Sequence, residues 1–253
     1  GINATRALTV RYNSQLSCGR VQTPTLAIIA GREDEIKNFK PRDYYGIVAR
    51  TKDLQLTWQD NKTKDSKTFN KDLSDKIIKS IKGKSCKVID VEKALKKKYS
   101  PQLYNLTELQ KDANKLFGFS AKETLSIMQR LYESHKVLTY PRTDSKYLTD
   151  DIIPTLKDRL KAINIGSYSN FEKYLLGTTI KANKSFVDNA KVSDHHAIIP
   201  TEQRVMISAL SDKERKIFDL VIKRFLAVLY PPYEYEQITV KANIGEERFV
   251  AKG

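Results

Sequence analysis

The chain has 253 residues, 40% of them hydrophobic, which is enough for folded cores and favours two domains over one. With 45 Lys and Arg against 30 Asp and Glu, its formal net charge is +15 at pH 7. This charge favours a polyanionic partner, nucleic acid before membrane. No run approaches the ~20 apolar residues of a membrane span, and there is no signal-peptide pattern. We therefore expect a cytoplasmic protein that does not associate with membranes.

Metal-binding and disulfide signals are weak. The two cysteines, Cys18 and Cys86, form no CxxC spacing, and there are only three histidines. The sequence therefore predicts neither a disulfide framework nor a zinc site, and a reducing cytosol fits. The chain lacks an initiator Met, begins in a helix-like run and ends in the strand-like run 248–251. We expect it to be a piece of a longer protein.

The first hundred residues predict two helices followed by β structure. Residues 1–17 look helical, and Pro24 suits the first turn of a second helix that ends near Lys37. The β pattern then predicts strands at 44–49, 54–58 and 86–91, with a lysine-rich helix at 71–82.

From residue 105 the apolar period becomes helical. A capping box at Thr107 and Gln110 predicts a helix that ends at Gly118. Ser120 and Glu123 predict the start of a second helix, which runs to about residue 134. Two capped helices separated by a short turn are typical of a helix-turn-helix unit, although an ordinary helical hairpin is the alternative.

The remaining pattern is helical until β structure returns near the end. We expect a helix at 150–163, a surface loop at 165–194, and a long helix from the Ser211 cap to Tyr230. The alternation at 235–242 then predicts a strand. Because a lone C-terminal strand would leave unpaired edges, it is expected to join the earlier strands. The sequence thus predicts a helical domain inserted into a β domain.

Residues 138–145 read Leu-Thr-Tyr-Pro-Arg-Thr-Asp-Ser and combine a nucleophile with a cation. Ionising a tyrosine hydroxyl at pH 7 costs about 4 kcal/mol. A nearby cation recovers part of that cost and can also bind a phosphate oxygen. Tyr140 and Arg142 are therefore the minimum equipment for attacking a phosphodiester. The alternative is a surface turn in which Pro141 fixes the backbone and Tyr140 packs.

Two further segments carry candidate phosphate ligands. His195 and His196 lie in Ser-Asp-His-His-Ala-Ile-Ile-Pro-Thr, where a histidine can hydrogen-bond a phosphate, although a structural role is the alternative. Arg20 and Gln22 flank a glycine turn before a helix N-terminus, which is a weak anion-binding arrangement by itself.

These segments together resemble the type IA DNA topoisomerases, and most closely the topoisomerase III branch. The resemblance covers nearly the whole chain in the family's order. It rests on six strings: GINATRALT at 1–9, SCGRVQTPTLAII at 17–29, LYNLTELQKDAN at 103–114, MQRLYE at 128–133, LTYPRTDS at 138–145 and SDHHAIIPT at 193–201.

The resemblance implies an isomerase that relaxes or decatenates DNA. Tyr140 would cleave single-stranded DNA and become linked to its 5′ phosphate, Arg142 would stabilise the charge on that phosphate, and His195 would hydrogen-bond nearby. Further DNA contacts are expected at Arg6, Arg20, Gln22, Thr143, Asp144 and His196.

The resemblance also implies an α+β fold with a discontinuous β-rich arch domain and an inserted, mainly helical, winged-helix-like domain. The expected boundaries are a helical segment at 1–37, arch parts at 38–101 and 232–253, and the helical domain at 102–231. The Mg²⁺ of the family is held by an N-terminal Toprim domain that this chain lacks, so no metal site is expected here.

The expected partners are single-stranded DNA and the Toprim domain of the same protein, and the expected state is a monomer. We expect the isolated piece to bind single-stranded DNA with little turnover. The alternative function is a non-catalytic helix-turn-helix or winged-helix module that binds duplex DNA.

Overall fold

The computed structural model describes residues 1–163, 165–180 and 182–253. The fold is α+β, and the chain divides into two compact units. The first comprises residues 1–93 and 237–253, and the second comprises residues 94–236. None of the described helices is long and apolar enough to cross a membrane.

A five-stranded sheet and three helices make up most of the first unit. The helices are α1 (Ile2–Tyr12), α2 (Gln22–Lys37) and α3 (Lys71–Ile81). The strands are β1 (Val48–Arg50), β2 (Gln55–Trp58), β3 (Cys86–Lys98), β4 (Tyr233–Ile244) and β5 (Glu247–Lys252). Their order is β1-β2-β5-β4-β3, with β2 antiparallel to β1 and β5, and β5 antiparallel to β4. The ends of β3 and β4 belong to the second unit.

The core of the first unit lies against this sheet. Trp58 pairs with Phe249 across β2 and β5, and both side chains are buried with Leu56. Ile77 of α3 is buried in the same cluster. The Trp58 indole N–H donates to Glu247 at 2.8 Å, which satisfies its one polar group. The C-terminal strand thus joins the early strands, as the sequence predicted.

Two strand predictions need correction. The strand expected at 44–49 begins only at Val48, because Tyr45 makes an isolated bridge to Thr68 instead of joining β2. The strand expected at 86–91 continues to Lys98, and β4 is its hydrogen-bonded neighbour in the sheet. The length of a strand depends on the neighbouring strand, which the local sequence pattern does not show.

Helices dominate the second unit. They are α4 (Leu106–Phe117), α5 (Ala121–Glu133), α6 (Leu156–Ala162), α7 (Ser169–Leu176) and α8 (Asp212–Leu229). Helix α5 packs between α4 and α8. Met128 and Leu131 of α5 and Phe218 and Phe225 of α8 are almost completely buried in one apolar cluster. Burying such side chains stabilises a fold by roughly 1.5–3 kcal/mol each.

The helix starts follow local capping rules, with one correction. Ser120 caps α5 by accepting from the Glu123 N–H at 3.1 Å, as predicted. The expected cap at Thr107 is wrong, because α4 begins two residues earlier than that cap implies and its cap is Asn105, which accepts from the Glu108 N–H at 2.9 Å. Asn is an equally good N-cap, so the pattern alone could not choose between them.

The middle of the second unit is more helical than predicted. The helix expected at 150–163 is a 3₁₀ helix, Asp150–Thr155, followed by α6, because the Pro154 ring would clash with the carbonyl four residues earlier in an α-helix. The loop expected at 165–194 is also wrong, since it contains α7, and Leu175 and Phe186 from it enter the core. Lys181 lies outside the described residues.

A buried carboxylate joins α8 to α5. Ser211 and Glu214 form the predicted capping box, and Glu214 also accepts from Arg130 Nε at 2.7 Å. Burial would by itself raise the pKa of Glu214, but the hydrogen bonds from Arg130 and Ser211 together outweigh it and lower the pKa to about 2. His135 Nε2 lies 3.6 Å from the same carboxylate.

Replacing this carboxylate is expected to destabilise the helical unit. Glu214→Gln should lower the free energy of unfolding by about 1–3 kcal/mol, because Arg130 loses its charged acceptor. The folded pKa lies below the ordinary 4.5, so the contribution is complete above about pH 5 and disappears as the pH falls towards 2. Urea unfolding followed by circular dichroism at several pH values measures this difference.

The matched control is Glu123→Gln, which removes an ion pair to Lys213 on the surface of the same unit. Exposed pairs contribute about 0–1 kcal/mol, so this variant should unfold almost like the parent. Equal effects of the two substitutions at neutral pH would contradict the role assigned to Glu214.

Candidate active site

Residues 139–145, here called the tyrosine loop, alternate between buried and exposed side chains. Pro141, Thr143 and Ser145 point into the second unit and are buried. Arg142 and Asp144 lie between them and are exposed. This period of two is that of an extended backbone, and it places the guanidinium and the carboxylate on the solvent side of the loop.

The tyrosine loop is fixed to residues 195–201, here called the histidine segment. The Thr139 N–H donates to the Ile199 carbonyl at 3.0 Å, and the Ile199 N–H donates back to the Thr139 hydroxyl at 3.0 Å. The Thr143 hydroxyl donates to the His195 carbonyl at 2.7 Å. Because these bonds are largely buried, each lost partner leaves an unsatisfied polar group, which makes the two segments one rigid element.

Two aromatic side chains hold the ring of Tyr140. The His195 ring lies 4.3 Å away between centroids at an angle of 42°, and the Tyr132 ring approaches edge-on at 5.4 Å. Tyr140 is half-buried, and its hydroxyl forms no hydrogen bond with any residue that the structure describes. The ring is therefore positioned while its oxygen remains available to react.

Arg142 and Asp144 carry charges that the described part of the chain does not neutralise. Neither side chain forms an ion pair or hydrogen bond there, although the Asp144 carbonyl accepts from the Asn105 amide at 3.0 Å. A guanidinium without a protein partner has all of its donors available for a phosphate, which it can bind bidentately. The structure brings Tyr140 and His195 into contact and places Arg142 in the same loop.

His196 differs from His195 in its surroundings. It is half-buried, and its Nδ1 lies 2.7 Å from the Ala197 carbonyl oxygen. Burial lowers the pKa of His196, which the contact with Ala197 opposes and the nearby Arg159 charge reinforces. The His196 ring is thus held against the carbonyl of the next residue, whereas the exposed His195 faces Tyr140.

Two residues near the site carried no functional signal in the sequence. Arg159 is buried and donates to the Pro200 carbonyl at 2.8 Å, and it also pairs with Glu202 at 2.8 Å. It therefore fixes the far end of the histidine segment. Tyr132 looked like an ordinary residue of the last turn of α5, and only the structure shows its contact with Tyr140.

The other expected DNA contacts belong to the first unit. Arg6 lies on α1, Arg20 in the turn before α2, and Gln22 is the first residue of α2, and all three are exposed. The Thr5 hydroxyl accepts from the Cys18 N–H at 2.9 Å and links α1 to this turn. Neither arginine forms an ion pair with a described residue.

The side chains present do not fit a magnesium site. Among the described residues, no three His, Cys, Asp or Glu side chains lie close enough together to hold a metal ion. Asp144 is the single carboxylate in the tyrosine loop. Magnesium in proteins is usually bound through one or two carboxylates together with substrate phosphates, so Asp144 alone is a weak candidate.

Removing one hydroxyl from the tyrosine loop is expected to loosen the site. Thr143→Val keeps the side-chain volume but leaves the His195 carbonyl and the Ser145 N–H without their partner. The free energy of unfolding should fall by about 1–3 kcal/mol. The NMR signals of the His195 ring should also move, because its contact with Tyr140 is disturbed.

The control for this variant is Thr107→Val on the exposed side of α4, where the hydroxyl has no hydrogen bond to a described residue. It should leave both the stability and the His195 signals unchanged. Unaltered His195 signals in Thr143→Val would show that the hydroxyl does not position the ring.

Comparison with known proteins places the whole chain in one family. A family model described as DNA topoisomerase matches residues 1–253. DNA topoisomerase 3 of Bacillus cereus is 61% identical over 254 residues, and that of Bacillus subtilis is 57% identical over 253 residues. Each match covers 100% of this chain and 35% of the relative, so the chain spans about a third of their length.

A solved structure has a similar fold. Full-length topoisomerase I from Thermotoga maritima matches with a TM-score of 0.67 and 26% sequence identity, covering 94% of this chain and 38% of that one. The resemblance to the type IA enzymes, and to their topoisomerase III branch, is thereby confirmed. This chain belongs to the DNA topoisomerase family.

Proposed function

We propose that this chain is the tyrosine-bearing part of a type IA DNA topoisomerase that cleaves single-stranded DNA transiently and passes strands through the break. The observation that carries the proposal is the environment of the Tyr140 ring and hydroxyl. Its ring is held between Tyr132 and His195, its hydroxyl has no described partner, and the exposed Arg142 follows two residues later.

The proposed reaction exchanges one phosphoester for another. The Tyr140 oxygen forms a bond to phosphorus and gives up its proton, while the bond to the 3′ oxygen breaks and that oxygen takes up a proton. The 5′ phosphate is then held as a tyrosyl ester. Because the bond formed resembles the bond broken, the strand can be rejoined by the reverse step.

The charges of the site suit this step. Arg142 would bind the non-bridging oxygens and stabilise the charge that develops on them, and His195 would donate a hydrogen bond to the same phosphate or its neighbour. No residue of the tyrosine loop is assigned to accept the Tyr140 proton or to protonate the leaving oxygen. We propose that the groups that do so, and the Mg²⁺, belong to a Toprim domain of the same protein.

We also propose the arch-and-gate architecture for this chain. The arch would consist of residues 38–101 and 232–253, and the winged-helix-like domain of residues 102–231 would carry the tyrosine and move to open the gate. The division of the chain at 93/94 and 236/237 supports this arrangement, because the first unit holds most of the sheet and the second is mainly helical.

The alternative function is a non-catalytic module that binds duplex DNA. The helical hairpin of α4 and α5, joined through Gly118 in the left-handed conformation, favours it. Such a module would prefer duplex to single strands and would not need Tyr140.

The cleavage proposal predicts different behaviour for the chain and for the complete enzyme. With labelled single-stranded DNA and Mg²⁺, the complete enzyme should form an adduct that survives denaturation. The 253-residue chain should bind the DNA without accumulating the adduct, because the remaining proton-transfer groups are missing. Gel electrophoresis under denaturing conditions distinguishes the two.

Variants of the complete enzyme make this test specific. Tyr140→Phe should abolish the adduct and the change in DNA topology while binding persists, and Tyr44→Phe, at an exposed tyrosine of the first unit, should change neither. Full activity of Tyr140→Phe, together with preference for duplex, would support the binding module instead. Abundant adduct formed by the short chain would refute the missing-domain part of the proposal.

Binding of the chain to single-stranded DNA is expected to weaken steeply with salt. The slope of log K against log salt should be about −0.7 for each phosphate neutralised. Arg142→Gln should make the slope shallower by about 0.7 if this guanidinium binds one phosphate. Arg32→Gln is the matched control, because Arg32 is already paired with Glu35 at 2.7 Å. A slope near zero would show that the basic residues do not bind phosphates.

A further inference from the structure

A cavity of about 470 Å³ lies within the second unit, and none of its lining residues belongs to the tyrosine loop or the histidine segment. Its lining includes three buried apolar side chains, Leu175, Phe186 and Val228. Both segments that connect the long strands to the helices, residues 99–102 and 229–232, also line it. This volume is in the range of small-molecule binding sites.

Three tyrosines, Tyr99, Tyr174 and Tyr230, line this cavity. Tyr174 and Tyr230 are stacked with their ring centroids 4.9 Å apart and an angle of 24°, and Phe171 meets Tyr230 edge-on at 6.1 Å. Tyr174 and Tyr99 remain 49% and 69% exposed, so each presents a ring face that the described residues leave uncovered. Exposed aromatic faces beside a cavity are stacking platforms for planar ligands.

Two lining residues, Asn183 and Gln102, offer hydrogen-bonding groups. The Asn183 side-chain oxygen accepts from the Ser185 N–H at 2.9 Å, whereas the side-chain nitrogen of Asn183 has no described partner. Gln102 donates from its amide nitrogen to Tyr147, so its side-chain oxygen remains available. One free donor group and one free acceptor beside aromatic faces match the edges of a nucleobase, which carry both.

The strands next to the cavity carry alternating aromatic and basic side chains. Lys97 of β3 and Glu234 of β4 form a 2.7 Å ion pair on one face of the two neighbouring strands. Since side chains alternate along a strand, the opposite face carries Lys96, Lys98, Tyr233 and Tyr235. Tyr233 and Tyr235 stack at 5.6 Å, and neither lysine has an ion pair in the described part of the chain.

We propose that the cavity between Tyr99 and Tyr174 binds one nucleobase of a single strand, and that the adjoining face of β3 and β4 binds the nucleotides that follow. The bases would stack on Tyr233 and Tyr235, and the phosphates would lie against Lys96 and Lys98. The inference rests on the proposal that the chain binds single strands, but it does not require cleavage by Tyr140.

Cross-linking tests the position of the base directly. The 253-residue chain is irradiated with an oligothymidylate of about 12 nucleotides that contains 5-iodouracil, and the linked peptides are identified by mass spectrometry. Cross-links at Tyr99, Tyr174 or Tyr230 are expected. Their absence, with binding intact, would overturn the inference and leave the proposed function untouched.

Affinity measurements test the chemistry of the site. Tyr174→Ala should weaken binding of the oligothymidylate about five-fold or more, because a base loses its stacking partner. Tyr174→Phe keeps the ring and should bind like the parent. Tyr44→Ala is the matched control at an exposed tyrosine of the first unit, and it should also bind normally. Equal affinity of Tyr174→Ala and the parent would overturn the proposal.

Competition with a free nucleotide tests whether the bound base belongs to a single strand or to a mononucleotide. Thymidine monophosphate should compete only weakly with the oligonucleotide, since it lacks the neighbouring phosphates for Lys96 and Lys98. Replacing both lysines with Gln should reduce the salt dependence of oligonucleotide binding by about 0.7 per lost contact. Tight binding of the mononucleotide without cross-linking of the strand would overturn the assignment to single-stranded DNA.

Discussion

The interaction on which the site depends is the set of hydrogen bonds between the tyrosine loop and the histidine segment. The hydroxyls of Thr139 and Thr143 bind the backbone of Ala197, Ile199 and His195, far away in sequence. In a buried setting such bonds are costly to break, so the two segments keep a single arrangement. The contact between the rings of Tyr140 and His195 follows from that arrangement.

The charged residues that support the site are buried and paired, whereas the cation of the tyrosine loop is exposed and unpaired among the described residues. Glu214 and Arg159 are buried charges, and each is paired and hydrogen-bonded, as burial requires. Arg142, by contrast, is exposed and has no described partner. A scaffold whose polar groups are satisfied can hold a cation ready for a phosphate without reorganisation, which is the condition for electrostatic stabilisation of a reacting group.

Of the three predicted helix caps, Ser120 and Ser211 are correct and Thr107 is wrong. Ser120 and Ser211 both cap helices as expected, because an N-cap needs only its own side chain and the N–H three residues later. The local patterns failed where contacts with distant residues determine the secondary structure. Helix α7 lies in a polar stretch that looked like a loop, and it forms because Leu175 can enter a core built by other elements.

The sequence by itself determined the family, the α+β class and the candidate residues Tyr140, Arg142 and His195, because these are carried by short strings of adjacent residues. Only the tertiary structure decided which candidates meet. It placed the Tyr140 ring against those of His195 and Tyr132, left Arg142 exposed, and placed the His196 ring against the Ala197 carbonyl. The physical reason is that the contact between Tyr140 and His195 depends on buried hydrogen bonds between segments about 50 residues or more apart, which no local pattern encodes.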